Sequence, residues 1–132
     1  MRFTSILLFV GLMLFTSCGG ETYPPVENPL DAGRQFIDAI YKGNFKRADL
    51  LIVDNEQNKS LLKAKLEDDY HSRNSTDRNN LGLSSINISN VKNLGDSVTL
   101  INFFNYYTNK TALLKVVKQN TTWLIDLKET FN

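Results

Sequence analysis

Cysteine, histidine and tryptophan each occur once in the 132-residue chain, and there are only 3 prolines and 7 glycines. A single cysteine, Cys18, excludes an intramolecular disulfide framework. With one histidine, His71, and no second cysteine, no Cys/His cluster has the spacing of a zinc site. The glycines do not form a phosphate-binding loop after a strand, and no nucleophile elbow is present. Charge of one sign is lacking too: 15 Lys+Arg stand against 14 Asp+Glu. Such near-neutrality argues against an electrostatic nucleic-acid binder and against a polybasic membrane-surface module. The acidic run Glu67-Asp68-Asp69 lacks the alternating ligands and central glycine of a calcium loop and reads as a solvated helix face.

What is present begins with an apolar N-terminus. Arg2 is the sole charge before Cys18, Ile6 to Phe15 is apolar, and the small polar residues Thr16 and Ser17 come next. About ten apolar residues fall short of the roughly twenty of a spanning helix, but they suit a cleaved secretory signal. Leu14-Phe15-Thr16-Ser17-Cys18 resembles the bacterial lipobox, with Phe15 where Leu is usual. The resemblance implies a signal peptide over 1–17 and an acylated Cys18 as the mature N-terminus. The protein would then be anchored by lipid in a Gram-negative cell envelope. With only Glu21 as an acidic residue close behind Cys18, periplasmic facing is favoured over export to the cell surface. A plain secreted protein with a stray thiol is the competing reading.

Residues 18–27 read as a tether. Gly19, Gly20, Pro24 and Pro25 sit among polar residues, and an extended stretch of about nine residues reaches roughly 30 Å. The folded domain is expected over 28–132, and roughly 115 mature residues make one domain without disulfide or metal. Asn28 is placed to cap a first helix, with Pro29 at its first position and Asp31 in its first turn. Gly33, Phe36, Ile37, Ile40 and Tyr41 share one face, and Gly43 ends the helix. Asn44 caps a short second helix burying Phe45, Ala48, Leu51 and Ile52. A third runs from about Glu56 to His71, with Leu62, Leu66 and Tyr70 in a row beside Leu61. Ser72 to Asn80 is polar throughout and reads as a loop holding at most one helical turn started by Ser75.

From Leu83 the period changes to two. Ile86 and Ile88 alternate with polar residues, Asn93-Leu94-Gly95-Asp96 turns, and Val98 to Tyr107 is a strand apolar on both faces. Leu113 to Lys118 and Thr122 to Leu127 form the last pair, joined at Gln119-Asn120-Thr121. Helices followed by four antiparallel strands argue α+β, with the N-terminal helices packed on a curled four-stranded antiparallel sheet. The two-faced second strand belongs mid-sheet, with one face on the helices and the other lining a concavity or an interface. Alternation places Trp123 toward the helices with Ile125 and Leu127, and Asp126 on the opposite face.

The stretches Ala39-Ile40-Tyr41-Lys42-Gly43-Asn44-Phe45-Lys46-Arg47-Ala48 and Val116-Val117-Lys118-Gln119-Asn120-Thr121-Thr122-Trp123-Leu124-Ile125-Asp126-Leu127 resemble small bacterial lipoproteins with a nuclear transport factor 2-like, or cystatin-like, cone. That resemblance implies a fold and no catalytic residue. Enzymes on such cones place an Asp–His or Tyr–Asp pair inside, and the candidates are Asp38, Tyr41, Tyr106 and Tyr107, with Asp126 as a remaining carboxylate. His71 at a helix end reads as a surface residue. Phe103, Phe104, Tyr106 and Tyr107 are the candidate binding surface. Asp96-Ser97-Val98 fits a short O-glycosylation pattern too common by chance to carry weight. The expected role is non-catalytic binding of a small ligand or an envelope protein, with no cofactor. The alternatives are a small-molecule enzyme of isomerase or hydrolase type working in the cone, and an inhibitor or immunity-type module.

Overall fold

The computed structural model describes residues 22–130. The stretch read as a signal peptide, with Cys18, lies outside the described residues. Helix α1 (Pro29–Tyr41) starts as its sequence dictates: Asn28 is extended, and its side chain accepts the Asp31 N–H at 2.8 Å. Its buried face carries Ala32, Gly33, Phe36, Ile37, Ala39 and Ile40. Gly33 lets the helix lie close on the sheet, since a Cβ there would come within 2.9 Å of Ile101 Cδ1. Gly43, at φ +73°, reverses the chain beneath the Tyr70 ring, which would be 2.6 Å from an added Cβ. Asn44 then caps α2 (Phe45–Leu50) through the Arg47 N–H.

The third helical stretch holds a device that the apolar row did not announce. It runs as α3 (Glu56–Leu61), a π-helical segment (Leu62–Glu67) and α4 (Asp68–Ser72) without a break in helical backbone. Within the π segment the Asp68 N–H reaches the Lys63 carbonyl, five residues back. The polar run expected to be a loop is instead helix α5 (Ser75–Leu83), capped by the Asn74 side chain on the Asp77 N–H at 2.8 Å. Only Leu81 of α5 is buried, so it carries no apolar stripe to betray it.

Strands β1 (Ile86–Asn93), β2 (Val98–Asn105), β3 (Lys110–Gln119) and β4 (Thr122–Asp126) form one antiparallel meander in the order β1-β2-β3-β4. The sheet curls without closing, and a bulge between Ile88 and Asn90 breaks the β1–β2 register. β2 lies inside the sheet and alternates strictly. Thr99, Ile101, Phe103 and Asn105 are buried toward α1, while Val98, Leu100, Asn102 and Phe104 are half-exposed behind. The outer edge of β4 is covered by the chain after α2, where Val53 N–H and Ile125 N–H bond to Ile125 O and Leu51 O at 2.9 and 2.8 Å. The core between helices and sheet gathers Phe36, Ile37, Ile101, Leu114, Val116, Ile125 and Leu127. Asn58, 1% exposed, is stitched into it: its Oδ1 accepts the Leu127 N–H at 2.6 Å.

Trp123 lies on the helix side with Ile125, as alternation requires, but it is half-buried at the strand's end, and the Lys118 ammonium sits 5.6 Å over its ring. The described part of the expected tether does not stand clear of the fold. Asn44 Nδ2 donates to the Tyr23 hydroxyl at 3.3 Å, Gln35 Nε2 to Pro25 O at 3.2 Å, and Val26 packs on the core. Side chains ten or more positions away hold this segment, which is why its composition alone reads as free.

Candidate functional site

α1, α4, α5 and the β2–β3 hairpin converge on a cavity of about 210 Å³. Tyr41 comes from the last turn of α1, and its ring meets Phe103 edge-on at 6.5 Å. Leu66 comes from the π segment, with Asp69, Tyr70 and Arg73 beyond it. A π-bulge widens a helix by one residue and re-aims the side chains of the next turn, and such bulges recur at functional sites. Thr108, Lys110, Thr111 and Ala112 close the far side.

The hairpin is shaped by Asn105, buried at 1% exposure. Its Oδ1 accepts the N–H groups of Tyr107 and Thr108 at 2.8 and 2.9 Å, and its Nδ2 donates to Ser84 Oγ at 2.9 Å. One side chain therefore ties the turn to the end of α5. Arg73 bridges α4 and α5, with Nη2 on Asp69 at 3.1 Å and Nη1 on Asp77 at 2.8 Å. Asp77 also accepts the Tyr107 hydroxyl.

The electrostatics fix the protonation of the lining groups. Burial pushes the Tyr41 phenol above its ordinary 10.0, against the pull of the Asn105 hydrogen bond and the Arg73 charge. Partial burial works against the Arg73 charge, but hydrogen bonds to Asp77 and Asp69 outweigh it and raise its pKa. The Tyr107 hydrogen bond, followed by Arg73, holds the Asp77 carboxyl below its ordinary 3.8. Near neutrality Tyr41 is a neutral donor, Arg73 a cation and Asp77 a carboxylate. Lys110 makes no ion pair among the described residues, so its ammonium is the uncommitted charge at the rim.

The four aromatic residues expected to form one binding surface fall into three settings. Phe103 is core, 3% exposed, and forms the wall behind Tyr41. Phe104 and Tyr106 pack edge-to-face at 5.0 Å beside the outer sheet face. Tyr107 leans on Asp77. Asp38 pairs with Lys42 at 2.7 Å on the surface. His71 packs beside Phe45 and Tyr70, 3.9 Å from Glu67. Asp126 accepts from Asn58 Nδ2 at 3.4 Å and from Lys128 N–H at 3.2 Å, away from the cavity.

Nothing in the sequence marks Arg73, Asp77, Lys110 or Asn105 by an obvious motif. Asn74 with Asp77 three residues on is the available signal, a helix start inside an apparent loop. No family model matches the chain, and no curated protein or solved structure is significantly similar to it.

Proposed function

We propose that the protein is a lipid-anchored protein of the cell envelope whose cone-shaped, nuclear transport factor 2-like domain binds a small ligand without transforming it. The observation that carries this reading is the cavity itself. Apolar walls from Ile40, Leu66, Leu81 and Ala112 stand beside the Tyr41 ring, and the exposed Lys110 lies at the edge. Tyr41 and Arg73 are held in one protonation state near neutrality, which suits recognition better than proton transfer. The sheet curling around α1 favours the cone, and Ser17-Cys18 behind an apolar run favours the anchor. The ligand fitting these walls is a small apolar body with an acidic or strongly accepting head placed at Lys110.

Size favours a second occupant of the same chemistry. Pockets for drug-sized ligands run from about 300 to 1,000 Å³, so this smaller cavity also suits a single side chain from a protein partner.

The test is an NMR titration of the soluble Cys18→Ser protein with benzoate and phenylacetate. Shifts confined to the backbone of Tyr41, Tyr70, Arg73 and Ala112, and lost in Lys110→Glu, are expected. Shifts scattered over the surface, or unchanged by Lys110→Glu, would contradict the assignment.

A further inference from the structure

A second hollow, of about 360 Å³, lies where the chain enters the fold. Its walls are Pro24, Val26, Leu50, Trp123 and Leu124. Leu50 is 60% exposed, a large apolar side chain with no partner layer over it. Lys46 stands one helical turn before Leu50 on the same face of α2, and Lys118 reaches over the Trp123 ring. Arg47 stacks 4.4 Å over Tyr23 and donates to Pro24 O at 3.4 Å. Asp49, also exposed on α2, borders this face, so Lys46 and Lys118 stand beside one carboxylate.

Covalent geometry then limits where this face can be. Tyr23 is pinned to α2, and the five residue steps from Cys18 to Tyr23 span at most about 18 Å. An acylated Cys18 sits at the boundary of the hydrocarbon core, beneath a headgroup layer roughly 6 Å thick. We infer that the face formed by Leu50, Trp123, Lys46 and Lys118 rests on the bilayer surface, with the hollow turned to the lipid headgroups. Its residue types suit that setting: an amphipathic tryptophan and an apolar residue at the interface, with lysines reaching the phosphates.

This docking rests on the acylation of Cys18 and adds an orientation to it. Trp123 lies beyond the β3–β4 turn, while Lys110 and Ala112 open β3 at its other end. The 10 residues of β3 separate the two ends by roughly 30 Å. The Lys110 edge of the binding cavity therefore lies far along the sheet from the Trp123 end set on the membrane.

Trp123 is the chain's sole tryptophan and so a clean reporter. The full-length gene product, purified from membranes, is reconstituted into phosphatidylethanolamine–phosphatidylglycerol vesicles with or without acyl-chain bromination. The expected result is co-flotation with the vesicles and a loss of Trp123 emission in brominated lipid. Leu50→Asp should still float but regain most of that emission. Flotation with equal Trp123 emission in both lipids would overturn the docking while leaving the anchor intact. Failure to float would overturn the anchor and the docking together.

Discussion

Replacing Asn58 by alanine removes a side chain whose hydrogen bonds join α3 to the end of β4. Its Oδ1 is the acceptor for the Leu127 N–H at 2.6 Å, and Leu127 is 0% exposed. Left without an acceptor in the core, that N–H costs about 1–3 kcal/mol. The Nδ2 bonds to Asn55 Oδ1 at 3.0 Å and Asp126 Oδ1 at 3.4 Å are lost as well, at about 1 kcal/mol. The helix cap survives, because the Asn58 backbone N–H still donates to Asn55. The expected destabilisation is therefore about 2–4 kcal/mol. With a urea m value near 2 kcal/mol/M, the midpoint falls by about 1–2 M. Asn58→Asp keeps an acceptor for Leu127 but sets a second carboxylate against Asp126, so its deficit should shrink on acidification. Equilibrium urea unfolding followed by circular dichroism reads both variants. A midpoint lowered by less than about 0.3 M in Asn58→Ala would show that Leu127 finds another acceptor and that the stitch is dispensable.

Trp123→Ala should cost about 1.5–2.5 kcal/mol by the same assay, below the roughly 3–5 kcal/mol of a fully buried aromatic, because the ring is only half-buried. A loss in the higher range would mean the ring is enclosed in solution. Acidification should loosen α5. The Asp77 carboxyl is held below its ordinary value by Tyr107 and Arg73, so its contribution is complete above the unfolded pKa, about 3.9, and is lost as pH falls through the lower folded value. Amide protection across Ser75–Leu83, relative to the unstructured exchange rate at the same pH, should fall in that window, and Asp77→Asn should remove the dependence; unchanged protection in the unsubstituted protein would refute it.

Elements written in local chemistry were legible from the residues. Asn28-Pro29 and Gly43-Asn44 each fix a cap or a stop within a few residues, and the structure places them there; the two-faced apolar run from Val98 put β2 mid-sheet, where it lies, though the strand ends at Asn105 and buries one face only. α5 escaped because a helix with one buried leucine and a cap hidden in a polar run has no period to read. The π segment escaped because Leu62, Leu66 and Tyr70 look evenly spaced until backbone bonding is known. The expected length of free tether was too long because Gln35, Asn44 and Arg47, all remote in sequence, hold residues 23–25. The cavity had no motif to find. Tyr41, Leu66 with Arg73, and Lys110 come from three separate stretches, while the Asn105 side chain bonds the N–H groups two and three residues on, the local pattern of an Asx turn. The aromatic cluster at 103–107 was visible, but alternation turns Phe103 into the core and Phe104 to the other face, where it meets Tyr106, while Tyr107, in the turn, bonds Asp77.

Lipid attachment at Cys18 is the claim from which the location, the orientation and the role at an envelope surface all descend. Intact-mass spectrometry of the mature protein extracted from membranes tests it most directly. The account predicts a chain beginning at an acylated Cys18, with Cys18→Ser abolishing the lipid mass and moving the protein to the soluble fraction. A free Cys18 thiol, or a mature N-terminus elsewhere, would contradict it.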